Sequence, residues 1–134
     1  MKRVIISGTG VAIPEATISN EELVDSFNAW VDRENVDRAA KGQEPLQKSS
    51  ADFIHHASGI RRRHVHTPDG ILDIDRMAPR IAARDDDSLS VLAEFGAAAA
   101  RNTLADAQVA AEDVDLVICA SSHLQRLYPS IGIE

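Results

Sequence analysis

The chain has 134 residues, 44% of them hydrophobic, which suits one ordinary domain with its own core and excludes a disordered chain. A formal net charge of -7 leaves no general electrostatic footprint for nucleic acid or for an anionic membrane surface. The single cysteine forms no intramolecular disulfide. The apolar run after Met1-Lys-Arg is too short for a signal peptide or a membrane span, so the cytoplasm is the expected compartment.

In chain order, the β-branched run Val4-Ile-Ile6 ahead of Gly8 predicts a strand over Lys2–Gly8 that ends in a turn. Gly8-Thr-Gly10 resembles the start of a dinucleotide fingerprint, but Ile13 stands where the third glycine belongs and Pro14 follows, so the expectation is a plain turn. Ser19-Asn-Glu-Glu22 is a capping box, and Leu23, Val24, Phe27 and Val31 follow at helical spacing, predicting a helix over Glu21–Asp32. Asp32–Lys48 is charged and holds Gly42 and Pro45, which predicts a surface excursion with helical turns at most. Ser49-Ser-Ala-Asp52 opens a second, short helix that Gly59 ends.

Ile60–His66 alternates apolar and basic residues and predicts a half-exposed strand, with Arg61-Arg-Arg-His64 as the one local basic cluster. Thr67–Asp87, with Pro68, Asp69-Gly70 and Pro79, predicts a loop, and its last residues Asp85, Asp86 and Asp87 fit capping of the following helix better than cation binding. That helix, Ser88–Gln108, carries a polar stripe of Glu94, Arg101, Asn102, Asp106 and Gln108. Its many alanines allow close packing on a neighbour. Val114–Ala120 reads as a strand buried on both faces, with Cys119 as a core residue rather than a nucleophile.

The loop Ser121–Tyr128 follows that strand's carboxyl end, where ligands bind in open α/β sheets, and Pro129 suits the first turn of a helix. With room for only about one and a half turns after it, the chain is expected to be part of a larger protein. His55, His56, His64, His66 and His123 lack metal-ligand spacing, so no metal is expected. The element order is an α/β layout.

Several pieces in this order together resemble the β-ketoacyl-ACP synthase III group of the thiolase-like condensing enzymes. They are Ile6-Ser-Gly-Thr-Gly10 with Pro14, Ser19-Asn-Glu-Glu-Leu23, Gly59-Ile-Arg-Arg-Arg-His64, the alanine-rich helix with Ala105-Asp-Ala107, and Asp115-Leu-Val-Ile-Cys-Ala-Ser121 with Tyr128-Pro-Ser130. The resemblance implies a thiolase-like αβαβα layered fold. Residues 1–134 would be its incomplete N-terminal half, with surface insertions at about 32–48 and 67–87. It also implies an acyltransferase that loads an acyl group from acyl-CoA onto a cysteine and condenses it with malonyl-ACP. The family's Cys, His and Asn positions lie beyond Glu134, so the chain alone is expected to be inactive.

By the same resemblance, Phe53 takes the position that stacks on the CoA adenine and Ser49 a nearby hydroxyl position, while Arg61 is a candidate CoA contact from the basic cluster. Ala57 stands where the family has an arginine, which Arg61–Arg63 or His56 would have to replace. Ser122 and Tyr128 match positions lining the acyl pocket, Tyr128 reaching across a two-fold dimer. The implied partners are acyl-CoA as substrate, acyl carrier protein, the remainder of the synthase and a second copy of it. No cofactor is implied. A non-catalytic thiolase-like or carrier-binding subunit is the alternative, and a relative condensing thioesters without a carrier protein is a third.

Overall fold

The computed structural model describes residues 4–134 and divides into two compact units, Pro14–Ala82 and a second made of the residues up to Ile13 with Ala83–Glu134. Among the described residues there are two short strands, β1 (Thr17–Ser19) and β2 (Arg62–His64), and three α-helices, α1 (Asn20–Ala40), α2 (Ala51–Ser58) and α3 (Val91–Ala107). A 3-10 turn covers Ala111–Asp113. This is a mixed helix and strand architecture.

In the Pro14–Ala82 unit, β1 and β2 pair antiparallel, with Thr17 opposite His64, Ile18 opposite Arg63 and Ser19 opposite Arg62. The expected capping box is present. The Glu22 amide donates to Ser19 Oγ at 3.1 Å, and the Ser19 amide donates to a Glu22 carboxylate oxygen at 2.8 Å. Those hydrogen bonds, the one from the Ser19 backbone first, hold the Glu22 carboxyl below its ordinary pKa. Ile18, Val24 and Val31 form the buried apolar centre. Asn20, also buried, takes the Arg63 guanidinium on its Oδ1 at 2.8 Å and donates to the Ile60 carbonyl at 2.7 Å, so helix start and strand entry are joined by one side chain.

Helix α1 runs eight residues past its expected end at Asp32, because no breaker intervenes before Gly42 and Arg33 to Ala40 are compatible with a helix. Apolar spacing stops at Val31 since the later turns face a polar strand of chain rather than a core. Asn28 and Asn35, two turns apart on one face, each grip the returning segment twice. The Leu46 amide donates to Asn35 Oδ1 at 2.7 Å and the Leu46 carbonyl accepts from Asn35 Nδ2 at 3.0 Å. The Ser49 amide and carbonyl do the same with Asn28, at 2.9 and 3.0 Å. The expected excursion is therefore half helix and half strap.

Helix α2 begins where the sequence places it, with Ser50 as N-cap accepting from the Phe53 amide at 3.1 Å, and it ends at Gly59 in the left-handed region at φ 72°. The Thr67–Asp87 segment is irregular, as expected. Its first part is ordered by charge: Arg80 pairs with Asp69 and Asp73, and Arg33 of α1 pairs with Asp75. The Asp75 amide and Arg80 together hold the Asp73 carboxyl below its ordinary pKa.

The other unit is built on α3, whose N-cap is the buried Ser90, accepting from the Ala93 amide at 3.1 Å. Asp85, Asp86 and Asp87 therefore do not cap it, because a serine nearer the helix already takes the orphan amide. The residues after Gly8 are assigned no turn and lie against α3. A Cβ on Gly8 would fall 2.6 Å from the Ala107 amide nitrogen, and one on Gly10 would fall 2.7 Å from the Ala99 carbonyl. Both glycines serve close backbone approach to the alanine-rich helix. Two members of the polar stripe fasten the contact: Asp106 accepts from the Thr9 amide at 2.9 Å, and Asn102 donates to the Val11 carbonyl at 2.8 Å.

Neither long apolar run belongs to a ladder. Of the strand expected over Lys2–Gly8, Lys2 and Arg3 lie outside the described residues, and Val4 to Ile6 are exposed. Val114–Ala120 forms no strand, and Ile118 is 84% exposed. Burial on two faces needs flanking strands and covering helices, and no described segment supplies them. Cys119 is exposed for the same reason, correcting its expected place in a core. After Pro129 a single turn forms, with the Ile133 and Glu134 amides donating to the Ser130 carbonyl at 2.8 and 3.1 Å, too short to propagate as a helix. No helix among the described residues is long and apolar enough to cross a membrane.

Candidate functional site

The most site-like surface of the Pro14–Ala82 unit lies between the strap and the start of α2. A hollow of about 540 Å3 is lined by Phe27, Gln47, Lys48, Ser49, Ser50 and Phe53. That volume falls within the roughly 300–1,000 Å3 of small-molecule sites. Two of the five residues singled out by the sequence, Ser49 and Phe53, meet here. Phe53 is 66% exposed on the first turn of α2, its ring available for stacking. Phe27, from α1, is the second aromatic wall and is itself backed by Trp30 with ring centroids 5.8 Å apart.

Lys48 brings the hollow's cation. Its Nζ lies 2.8 Å from an Asp32 carboxylate oxygen, and both side chains are more than half exposed. Sequence reasoning missed Phe27, Gln47 and Lys48. Phe27 reads as a core position of an amphipathic helix, and the other two sit in a segment whose return onto α1 depends on the asparagine clamps.

A neighbouring apolar hollow of about 350 Å3 shares Phe27 and Ser49 and extends over Leu23, Val24, Ile54, Ile71 and Met77. Arg61 lies elsewhere, on a polar depression with Glu21, Asp52, His55 and Arg62. The basic cluster is divided by the fold: Arg61 and Arg62 are exposed, while Arg63 is committed to Asn20. Ala57 and His56 are exposed on α2.

Ser122 and Tyr128 belong to the α3 unit. Ser122 Oγ sits 3.3 Å from the Nδ1 of His123, and the Tyr128 ring is 88% exposed. Neither lines the shallow hollow of that unit formed by Cys119, Ser121, Leu124 and Ser130 to Ile133. Among the described residues no three His, Cys, Asp or Glu side chains converge as a metal site would need.

No protein-family model matches the chain. Individual relatives do. The chain is 46% identical over 115 residues to the β-ketodecanoyl-[acyl-carrier-protein] synthase of Pseudomonas aeruginosa, covering 83% of this chain and 33% of that protein. It is 31% identical over 130 residues to the β-ketoacyl-[acyl-carrier-protein] synthase III of Bordetella petrii, covering 97% of this chain and 29% of the relative. The synthase III of Granulibacter bethesdensis is 27% identical over 137 aligned residues, covering 100% of this chain and 29% of the relative. The chain thus spans a third or less of the length of these curated relatives. Along its length the chain is thus similar to the N-terminal part of curated β-ketoacyl-ACP synthase III proteins.

Proposed function

We propose that this chain is the CoA-facing N-terminal part of a thiolase-like condensing acyltransferase, a transferase of fatty acid synthesis working in the cytoplasm as a homodimer. The observation that carries the reading is the 46% identity to a β-ketodecanoyl-[acyl-carrier-protein] synthase over most of the chain. In the reaction, a cysteine thiolate outside this chain attacks the acyl-CoA thioester carbon, CoA leaves as its thiolate, and an acyl-cysteine forms. Malonyl-ACP then loses carbon dioxide, the resulting carbanion attacks the acyl carbon, and the cysteine is released as a β-ketoacyl-ACP forms. Ser49, Phe53 and Arg61 hold the CoA, and Ser122 and Tyr128 wall the acyl pocket at the dimer interface.

Malonyl contributes two carbons after decarboxylation, so a decanoyl-length product requires an octanoyl primer. We assign a medium-chain primer to this protein on that basis, and Ala57 in place of the family arginine agrees with a departure from short-chain priming. The test is condensation of malonyl-ACP with a series of straight-chain acyl-CoA donors, using the protein isolated with any polypeptide that accompanies it. A rate maximum near octanoyl-CoA is expected; a maximum at acetyl-CoA refutes the chain-length assignment. The second reading is a thiolase-like, carrier-binding partner without catalysis. It predicts carrier binding with no acyl group transferred to any cysteine.

A further inference from the structure

We infer that the strap over residues 41–50 is a specificity element for this protein, and that Lys48 on it takes the ribose 3'-phosphate of CoA. The inference rests on the reading of the Phe53 hollow as the nucleotide site. Phe53 and Phe27 give that hollow aromatic walls of the kind that hold a planar base, Gln47 and Ser49 add polar lining, and Lys48 is the cation among the described residues that line it. An adenosine whose base lies against Phe53 carries its 3'-phosphate on the adjoining ribose, within the same hollow rather than along the pantetheine. The Lys48 ammonium is a flexible, compact donor suited to a phosphate as a point charge.

Two features make this a built arrangement. Asn28 and Asn35 fix the strap through four hydrogen bonds of 2.7 to 3.0 Å to Ser49 and Leu46, flanking Lys48 and holding its backbone in register. Asp32, between the two asparagines on α1, holds the ammonium at 2.8 Å. Asp32 acts as a counter-ion that a phosphate displaces. The cation absent at Ala57 is thereby supplied from a different element. Asn28 and Asn35 are positioning residues, because they act on the ligand through the strap.

Calorimetric titration with CoA and with 3'-dephospho-CoA separates this role from general binding, again on the protein isolated with any polypeptide that accompanies it. Lys48→Gln weakens CoA binding about tenfold and 3'-dephospho-CoA binding less than about twofold, the scale of one charge-assisted contact. Lys48→Arg keeps most of the discrimination, Asp32→Asn tightens CoA selectively, and Asn35→Ala, whose side chain does not line the hollow, lowers the discrimination with the helical signal unchanged. If Lys48→Gln weakens both ligands equally or neither, while Phe53→Ala weakens both, the phosphate assignment is overturned and the nucleotide site stands. If Phe53→Ala and Lys48→Gln both leave CoA binding unchanged, the nucleotide reading falls with it.

Discussion

The two units carry their apolar residues in opposite ways. In the Pro14–Ala82 unit, Ile18 and Val31 are fully buried and the polar backbone of the strap is satisfied by asparagine side chains. In the α3 unit, Val4, Ile6, Ile118 and Leu127 are 97, 87, 84 and 89% exposed. The contrast teaches that the first unit's structure is specified by contacts within itself. The second unit's apolar runs are patterned for neighbours that the described chain does not provide. Contiguous exposed apolar segments and unpaired strand edges favour association with another surface.

The sharpest way to break that comparison uses one residue type in both settings. Ile18→Ala removes a fully buried side chain and is expected to cost about 2–5 kcal/mol, read by denaturant unfolding of the chain alone. Ile118→Ala is expected to change stability by less than about 0.5 kcal/mol in the same experiment. If Ile118→Ala instead costs as much as Ile18→Ala, the run is covered in solution and the comparison fails.

Next in size is Gly10→Val in the α3 unit, where the new side chain meets the backbone of α3 at Ala99 and Thr103. Overpacking of this kind costs about 1–3 kcal/mol, and hydrogen exchange should report the loss in α3 and in residues 8–11 together. Asn28→Ala strips two partners from the Ser49 backbone and is expected to cost about 1–3 kcal/mol, with faster exchange over residues 46–50 and none in α3. Ser90→Ala removes the α3 cap for about 1 kcal/mol.

The smallest effect is the acid limb of stability. Glu22 and Asp73 have carboxyl pKa values below their ordinary 4.5 and 3.8. A group lowered on folding stabilises fully above its unfolded value and loses that contribution as the pH falls through its folded value. Stability in the Pro14–Ala82 unit should therefore decline as the solution is acidified through and below that range, and Glu22→Gln should flatten the decline.

Much of the helical framework was legible because its signals are local. Ser19 with Glu22, Ser50 ahead of Phe53, and Gly59 mark helix ends by chemistry contained within a few residues. Val4–Gly8 of the first expected strand and Val114–Ala120 form no strand among the described residues for the opposite reason. Val114–Ala120 has the composition of a buried strand, but burial is a property of its neighbours. The later half of α1 escaped notice because it packs through Asn35 and Arg38 on a polar strap, leaving no apolar periodicity to read. Of the candidate site, Ser49 and Phe53 were found through the family motif, whereas Lys48 and Phe27 join them only once the chain returns along α1.

The measurement that tests the account most directly is hydrogen exchange of the protein with and without octanoyl-CoA. The account predicts slowed exchange concentrated in the strap and the first turn of α2, residues 46–54, and its loss in Phe53→Ala. Saturating octanoyl-CoA that leaves those residues unprotected in the wild-type protein would contradict it.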